Sequence, residues 1–194
     1  LLDAESRLKS MSILYDKLGK SADYKNLSLR QYVSTLAHEV IASFQNGSTI
    51  QILENVEEIV MDAGLLQTIG SMINEILTNA MKYAFVGRES GSISITAARH
   101  GNLVSLSLQD DGVGMPASID FEHTTGFGLQ LIRGLAGQLE GSARIERGAG
   151  TTMVVEFPLR NADDAAAAGI GTSGSTPETR SAPGTTPLQG KDAD

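Results

Sequence analysis

The chain has 194 residues, of which 41% are hydrophobic, so it is long enough to bury the core of one domain with appendages. Its formal net charge of −8 argues against a nucleic-acid-binding surface, which requires a basic face. The absence of cysteine excludes disulfides, thiolate metal sites and thiol nucleophiles. No apolar run reaches the roughly 20 residues of a membrane span and no signal peptide is recognisable, so we expect a cytoplasmic location.

The N-terminal segment carries an apolar seam with alternating spacings of three and four residues from Leu1 to Leu18, and Gly19 ends it. This pattern fits either a bundle helix or an ordinary amphipathic helix, because the seam is short. We expect residues 20–27 to be a linker. Ser28–Gln31 then has the pattern of a capping box, which opens a helix whose apolar face extends from Tyr32 to Phe44. Since the chain does not begin with Met, we expect it to be part of a longer protein, whether soluble or membrane-attached.

The following elements alternate between strand and helix patterns. A short strand precedes a long helix, and two pairs of alternating segments predict β-hairpins on either side of another helix. This order predicts an α/β fold, a two-layer sandwich with helices on one face of a mixed sheet. The predicted strand is Thr49–Leu53, the helices are 62–84 and 129–139, and the hairpins are 92–98 with 103–109 and 142–147 with 151–157.

Residues 161–194 differ from the rest of the chain in composition. Ile170 and Leu188 are the only large aliphatic residues there, and three prolines lie among Gly, Ser, Thr and Ala. Such a segment cannot bury enough apolar surface to offset the entropy lost on ordering. We therefore expect a disordered tail.

The long helix contains a polar stripe. Glu75, Asn79 and Lys82 are spaced i, i+4 and i+7, so they lie on one side of a helix that is otherwise apolar. An amide oxygen can bind Mg²⁺ and an ammonium group can contact phosphate oxygens. The stripe indicates a metal and phosphate site, although a solvated helix face with a local Glu–Lys pair would give the same pattern.

Two glycine-containing turns follow this helix. Asp110–Gly114 comes directly after a predicted strand, where a carboxylate can accept from an exocyclic amine while the glycines let a flat base approach. Gly126–Leu131 leads into a helix whose N-terminal N–H groups can bind phosphate. It fits neither the dinucleotide-binding fingerprint nor the P-loop. Taken alone, each segment also fits an ordinary glycine turn.

In this order, the three motifs resemble the N, G1 and G2 boxes of the histidine-kinase catalytic domain, which has the GHKL (Bergerat-type) ATPase fold. Gly150-Thr151 resembles the Gly-Thr that closes the site in that family. The resemblance extends over about residues 28–159, and it implies an ATP-binding domain at residues 28–160. Asn74–Phe85 and Arg7–Leu18 resemble the N box and the end of the dimerisation helix pair of the HisKA_2 group. The 11 residues Met115–Thr125 leave a short lid, as in that group.

The resemblance implies a role for each matching residue. Glu75 would be catalytic, orienting groups near the γ-phosphate of ATP, and Asn79 would bind Mg²⁺. Asp110 would accept from the adenine amine. The other ATP-binding residues that the resemblance implies are Lys82 and Tyr83 at the phosphates, Gly112 and Gly114 under the base, Gly126, Gly128 and Leu129 at the lid hinge and phosphate cradle, and Thr151 at the adenine end.

The implied activity is transfer of the γ-phosphate from ATP·Mg²⁺ to a histidine of the dimerisation domain, for relay to a response regulator. Residues 1–19 correspond to the end of the helix pair, so the phosphoacceptor helix would be missing from this chain. The N-terminal helices would form a homodimer. His38 is followed by Glu39 but then departs from the H-box pattern, and neither His100 nor His123 resembles an acceptor, so no phosphoacceptor is expected here.

Two other functions are compatible with the same fold. One is a serine kinase of the anti-sigma type, which the bundle-like N-terminal helix argues against. The other is a non-catalytic signalling adaptor, which the intact N, G1 and G2 motifs argue against.

Overall fold

The computed structural model describes residues 26–44 and 49–159. The predicted N-terminal helix at residues 1–19 and the predicted disordered tail at residues 161–194 lie outside the described residues. Within the described part, no helix is long and apolar enough to cross a membrane.

The described strands form a five-stranded mixed sheet and a separate two-stranded ribbon. In chain order they are β1 Leu27–Ser28, β2 Thr49–Val56, β3 Val60–Met61, β4 Ser90–His100, β5 Leu103–Asp110, β6 Ser142–Gly148 and β7 Gly150–Pro158. The large sheet has the order β2-β4-β5-β7-β6, in which β2 is parallel to β4 and the other pairs are antiparallel. Both predicted hairpins are therefore present. The ribbon pairs β1 with β3.

The helices of the described part are α1 Leu29–Ala42, α2 Ala63–Asn79 and α3 Phe127–Gln138, with a π-helical turn Ala80–Ala84 continuing α2. α1 begins at the predicted capping box, where the Oγ of Ser28 accepts from the backbone N–H of Gln31 at 3.2 Å. Asp62 caps α2 in the same way, accepting from the N–H of Leu65 at 2.9 Å.

α1 packs closely against α2. A Cβ on Gly70 of α2 would lie 1.9 Å from the hydroxyl oxygen of Tyr32 on α1, so only glycine fits at this crossing. Burial raises the pKa of the Tyr32 hydroxyl above its ordinary value. The helix that resembles the N box is therefore packed tightly against α1 at this crossing.

The core lies between the helices and one face of the sheet. Ile93 and Ile95 of β4, Leu106 of β5 and Phe157 of β7 alternate inward and are nearly or completely buried in one cluster with the apolar faces of all three helices. The intervening residues of these strands, such as Ser107, face the opposite side. The structure thus confirms the predicted two-layer α/β sandwich.

Candidate functional site

A cavity of about 320 Å³ opens between the C-terminal end of α2, the sheet and the segment after β5. Its walls are mainly apolar, as expected for a site that holds a flat base. Six residues of the predicted site line it: Asn79, Tyr83, Asp110, Gly114, Leu129 and Thr151. These residues come from separate elements, so the fold brings the N-box and G1 segments and the Gly150-Thr151 turn to one place.

Asp110 lies at the end of β5 and is only 7% exposed. Its Oδ1 accepts from the backbone N–H of Gly112 at 2.9 Å and from that of Thr151 at 3.2 Å. Two backbone donors hold the carboxylate in one orientation beside the cavity, while no other hydrogen bond to it is found among the described residues. Asp110 can therefore accept from a ligand.

Close backbone approaches surround this carboxylate. A Cβ on Gly150, which has φ +97°, would lie 1.9 Å from the carbonyl oxygen of Asp110. A Cβ on Gly112 would lie 2.3 Å from the carbonyl oxygen of Ala84, the last residue of the π-helical turn. The N–H of Val113 donates to that same carbonyl at 3.0 Å. The segment after β5 is thus attached directly to the end of the α2 helix, which explains the need for glycine at position 112. At position 150 the positive φ and the approach to the Asp110 carbonyl require glycine.

A second group of polar residues lies where α3 meets α2. Glu75 is 5% exposed, and a Cβ on Gly128 would lie 2.9 Å from its Oε2. That Cβ would lie 3.5 Å from the side-chain nitrogen of Asn79 and 3.8 Å from its side-chain oxygen. Glu75 and Asn79 of the predicted polar stripe therefore meet at the N-terminus of α3. The first turn of α3 points backbone N–H groups outward, which suits phosphate oxygens.

These two residues fit the chemistry of a Mg²⁺ site in part. Mg²⁺ prefers oxygen ligands and usually keeps several waters, with one or two protein oxygens and substrate phosphates completing its coordination. Glu75 and Asn79 offer a carboxylate and an amide oxygen. No cluster of three or more His, Asp and Glu side chains that could hold a metal by itself occurs in the described part of the chain. The donor set therefore suits a metal that arrives with a phosphate ligand.

Other predicted residues are less closely involved in the cavity. Lys82 and Gly112 are partly buried and do not line it, and Gly126 is the exposed N-cap residue of α3. Tyr83 lines the cavity but is 67% exposed, so it lies at the mouth. Leu129 follows on α3 and contributes to the wall.

Several residues that line the cavity could not be predicted from the sequence. Ile93 and Met153 line the cavity from the sheet, and Met115 and Ile119 line it from the lid segment. Strand alternation marked Ile93 and Met153 as core residues, but no local pattern distinguishes a cavity wall from the core.

No role was predicted from the sequence for Asp111. It accepts from the N–H and the hydroxyl of Ser92 at 2.9 and 3.0 Å. The hydrogen bond from the Ser92 N–H is the main cause that holds the pKa of the Asp111 carboxyl below its ordinary value.

None of the three histidines lines the cavity. His38 lies on the exposed side of α1, with its Nδ1 3.6 Å from a carboxylate oxygen of Glu54 on β2. His100 is the exposed last residue of β4. His123 is exposed in the lid segment and its Nδ1 lies 2.7 Å from a carboxylate oxygen of Asp120.

Comparison with known families gives two matches. Residues 64–161 match the family described as histidine kinase-, DNA gyrase B- and HSP90-like ATPase, and residues 1–44 match HisKA_2, described as histidine kinase. The first match contains α2, the segment after β5 and α3, which carry the predicted site. The second extends to the end of α1.

Relatives of known name include two histidine kinases. The blue-light-activated histidine kinase 2 of Erythrobacter litoralis is 25% identical over 160 residues, which cover 79% of this chain and 46% of that protein. The sensor histidine kinase PdtaS of Mycolicibacterium smegmatis is 28% identical over 165 residues, covering 82% of this chain and 32% of that protein. The chain therefore spans less than half the length of these relatives.

Solved structures show the same fold. The histidine kinase domain of a blue-light-activated kinase of Erythrobacter litoralis superposes with a TM-score of 0.73 at 23% identity, covering 81% of this chain and 75% of that one. The histidine kinase AdeS of Acinetobacter baumannii superposes with a TM-score of 0.57 at 14% identity, covering 79% of this chain and 77% of that one.

Proposed function

The chain belongs to the family of histidine kinase-, DNA gyrase B- and HSP90-like ATPases, and we propose that it serves as the catalytic part of a sensor histidine kinase of a two-component system. In this role it binds ATP with Mg²⁺ and transfers the γ-phosphate to a histidine. The observation that carries this proposal is that Asp110 and Asn79 line the same cavity, while Glu75 and Asn79 both lie close to Gly128 in the first turn of α3.

The adenine end of the site is formed by Asp110 and the apolar walls. A carboxylate that two backbone N–H groups hold in place can accept from an exocyclic amine without reorganising. Guanine presents a carbonyl oxygen where adenine has its amine, and a carboxylate repels an acceptor. The site should therefore prefer adenine nucleotides.

The phosphate end is formed by α3 and the polar stripe of α2. Backbone N–H groups at the start of α3 and the Lys82 ammonium would contact phosphate oxygens, and Asn79 with Glu75 would hold or orient Mg²⁺. Bound Mg²⁺ would supply charge neutralisation at the phosphates. Phosphoryl transfer of this kind depends mostly on such placement and neutralisation.

The acceptor would be an imidazole other than the three of this chain. None of His38, His100 and His123 lines the cavity. A neutral imidazole at pH 7 needs little activation as a nucleophile. The match of residues 1–44 to a histidine kinase family favours this function over a serine kinase of the anti-sigma type. Homodimerisation through the N-terminal helices and relay to a response regulator belong to the same proposal.

Isothermal titration of the chain with ATP tests the nucleotide site. Asp110→Asn exchanges a charged acceptor for an amide in a buried position, and the loss of such a partner costs about 1.5–3 kcal/mol. We expect ATP affinity to fall more than tenfold. Asp120→Asn is the matched control, because Asp120 is exposed in the lid and bonds to the N–H of Glu122 and to His123. Equal ATP affinity of the Asp110→Asn variant and the control would refute the adenine assignment.

A further inference from the structure

Asp110 and Asp111 are neighbours at the end of β5 with different surroundings. Asp110 is the last residue paired with β4, where it faces Ile93. Asp111 continues that pairing with both its backbone and its side chain: its N–H donates to the carbonyl of Ser92 at 3.2 Å, and its carboxylate accepts from the Ser92 N–H and hydroxyl. The Asp111 carboxylate thus accepts a backbone hydrogen bond from β4 at the point where the regular pairing of β4 with β5 ends.

Arg88 attaches the same turn to the segment that follows the α2 helix. Its guanidinium donates to the backbone carbonyl of Asp111 and lies 3.7 Å from the carboxylate. The same guanidinium lies 5.9 Å from the centre of the buried Phe85 ring. A Cβ on Gly91 would lie 2.3 Å from that ring and 3.1 Å from the Asp111 carboxylate, so a side chain at position 91 has no room between them.

These contacts fix the path of the turn that presents Asp110. The N–H of Gly112, one of the two donors to Asp110, follows Asp111 directly in the chain, and Val113 bonds to the carbonyl of Ala84. Moving Asp111 would therefore move the Gly112 donor away from Asp110. It would also loosen the attachment to the end of the helix that carries Asn79.

We propose that Asp111, supported by Arg88, is a positioning residue that holds the adenine-facing Asp110 at a fixed place relative to the helix of the phosphate end. The proposal rests on the nucleotide-binding function proposed above. Asp111 does not line the cavity, so it acts through Asp110 and contacts no nucleotide.

The relative strength of the contacts to Asp111 predicts which substitution of this residue lowers nucleotide affinity. The side chains of Arg88 and Asp111 are 37% and 45% exposed, so solvent screens their ion pair and its contribution is small. The hydrogen bonds from Ser92 to the carboxylate are the larger contribution. Asp111→Asn keeps an acceptor for the Ser92 N–H, whereas Asp111→Ala removes it.

The experiment measures ATP and GTP affinity by calorimetry and hydrogen exchange of the Thr151 amide, whose N–H bonds to Asp110. For Asp111→Ala we expect about a tenfold loss of ATP affinity, a reduced preference for ATP over GTP and faster Thr151 exchange without nucleotide. Asp111→Asn should stay within about threefold of the original chain. Glu57→Ala is the control, because Glu57 accepts from the N–H of Arg99 at 2.8 Å at the opposite end of β4.

The outcomes separate this proposal from the proposed function. If the unmodified chain binds no ATP, the nucleotide function fails and this proposal fails with it. If it binds ATP but Asp111→Ala keeps its affinity and preference, only the positioning role is overturned. An equal loss of ATP affinity in Asp111→Asn would also overturn the positioning role. Should Asp111→Ala not fold, Ser92→Ala is measured in its place, because it removes the hydroxyl that donates to the Asp111 carboxylate. Unchanged nucleotide preference with unchanged Thr151 exchange in that variant would refute the role.

Discussion

Gly128 offers a substitution that separates the chemistry of the site from the stability of the fold. Its backbone does not have a positive φ, so alanine is compatible with the local conformation. The added Cβ would lie 2.9 Å from Oε2 of Glu75, where an ordinary contact is 3.4 Å or more. The carboxylate must therefore retreat by about half an ångström, which is easy for the end of a flexible side chain.

The expected effects on stability and function differ in size. Replacing glycine by alanine in a helix contributes about 0.5–1 kcal/mol of stability, which offsets the cost of moving Glu75. We expect the free energy of unfolding of Gly128→Ala to stay within about 1 kcal/mol of the original value. Small displacements of positioning groups cost much more in function, so the Mg²⁺-dependent part of ATP affinity should fall about tenfold.

Gly134→Ala provides the matched control on the same helix, because a Cβ at Gly134 meets nothing within 4 Å. It should stabilise the protein by up to about 1 kcal/mol and leave nucleotide binding unchanged. The measurements are chemical denaturation and calorimetry with ATP, with and without Mg²⁺. Identical Mg²⁺-dependent affinities in the two variants would refute the assignment of Glu75 and Gly128 to the phosphate end. A loss of several kcal/mol of stability in Gly128→Ala would show that the contact is structural.

Three further predictions concern other parts of the chain. Asn79→Ala should abolish the Mg²⁺ dependence of ATP affinity with little change in melting temperature, since the side chain is only partly buried. A sharp drop in melting temperature with intact Mg²⁺ dependence would contradict this prediction. Removal of residues 161–194 should leave ATP affinity unchanged, and protected amides in that segment would argue against a disordered tail. Incubation with radiolabelled ATP should give no stoichiometric acid-labile label on this chain, whereas label lost in His38→Gln would identify His38 as an acceptor.

The helices and hairpins could be predicted from the sequence because their signals are local. The Ser28 capping box set the start of α1, and alternation around Gly101 set the first hairpin. The boundaries were less accurate: the strand predicted at Thr49–Leu53 continues to Val56, because pairing with β4 extends a segment whose own pattern is weak. The two-residue ribbon strands were missed, since two residues show no alternation.

The order of the motifs also allowed the family to be recognised from the sequence, as the family matches confirm. Spacing alone placed Glu75, Asn79 and Lys82 on one side of a helix. Spacing could not show that α3 brings Gly128 against Glu75 and Asn79. Nor could it show that Lys82 does not line the cavity.

Only the tertiary structure decided which groups hold the site in place. The N–H of Thr151 reaches Asp110 because β7 pairs with β5, and Arg88 reaches Asp111 because the end of the α2 helix meets the turn after β5. Such contacts join residues that are distant in the chain, and no local periodicity records them. The sequence by itself determined the elements and the chemical groups they carry, whereas the packing of helices against the sheet determined which of those groups meet.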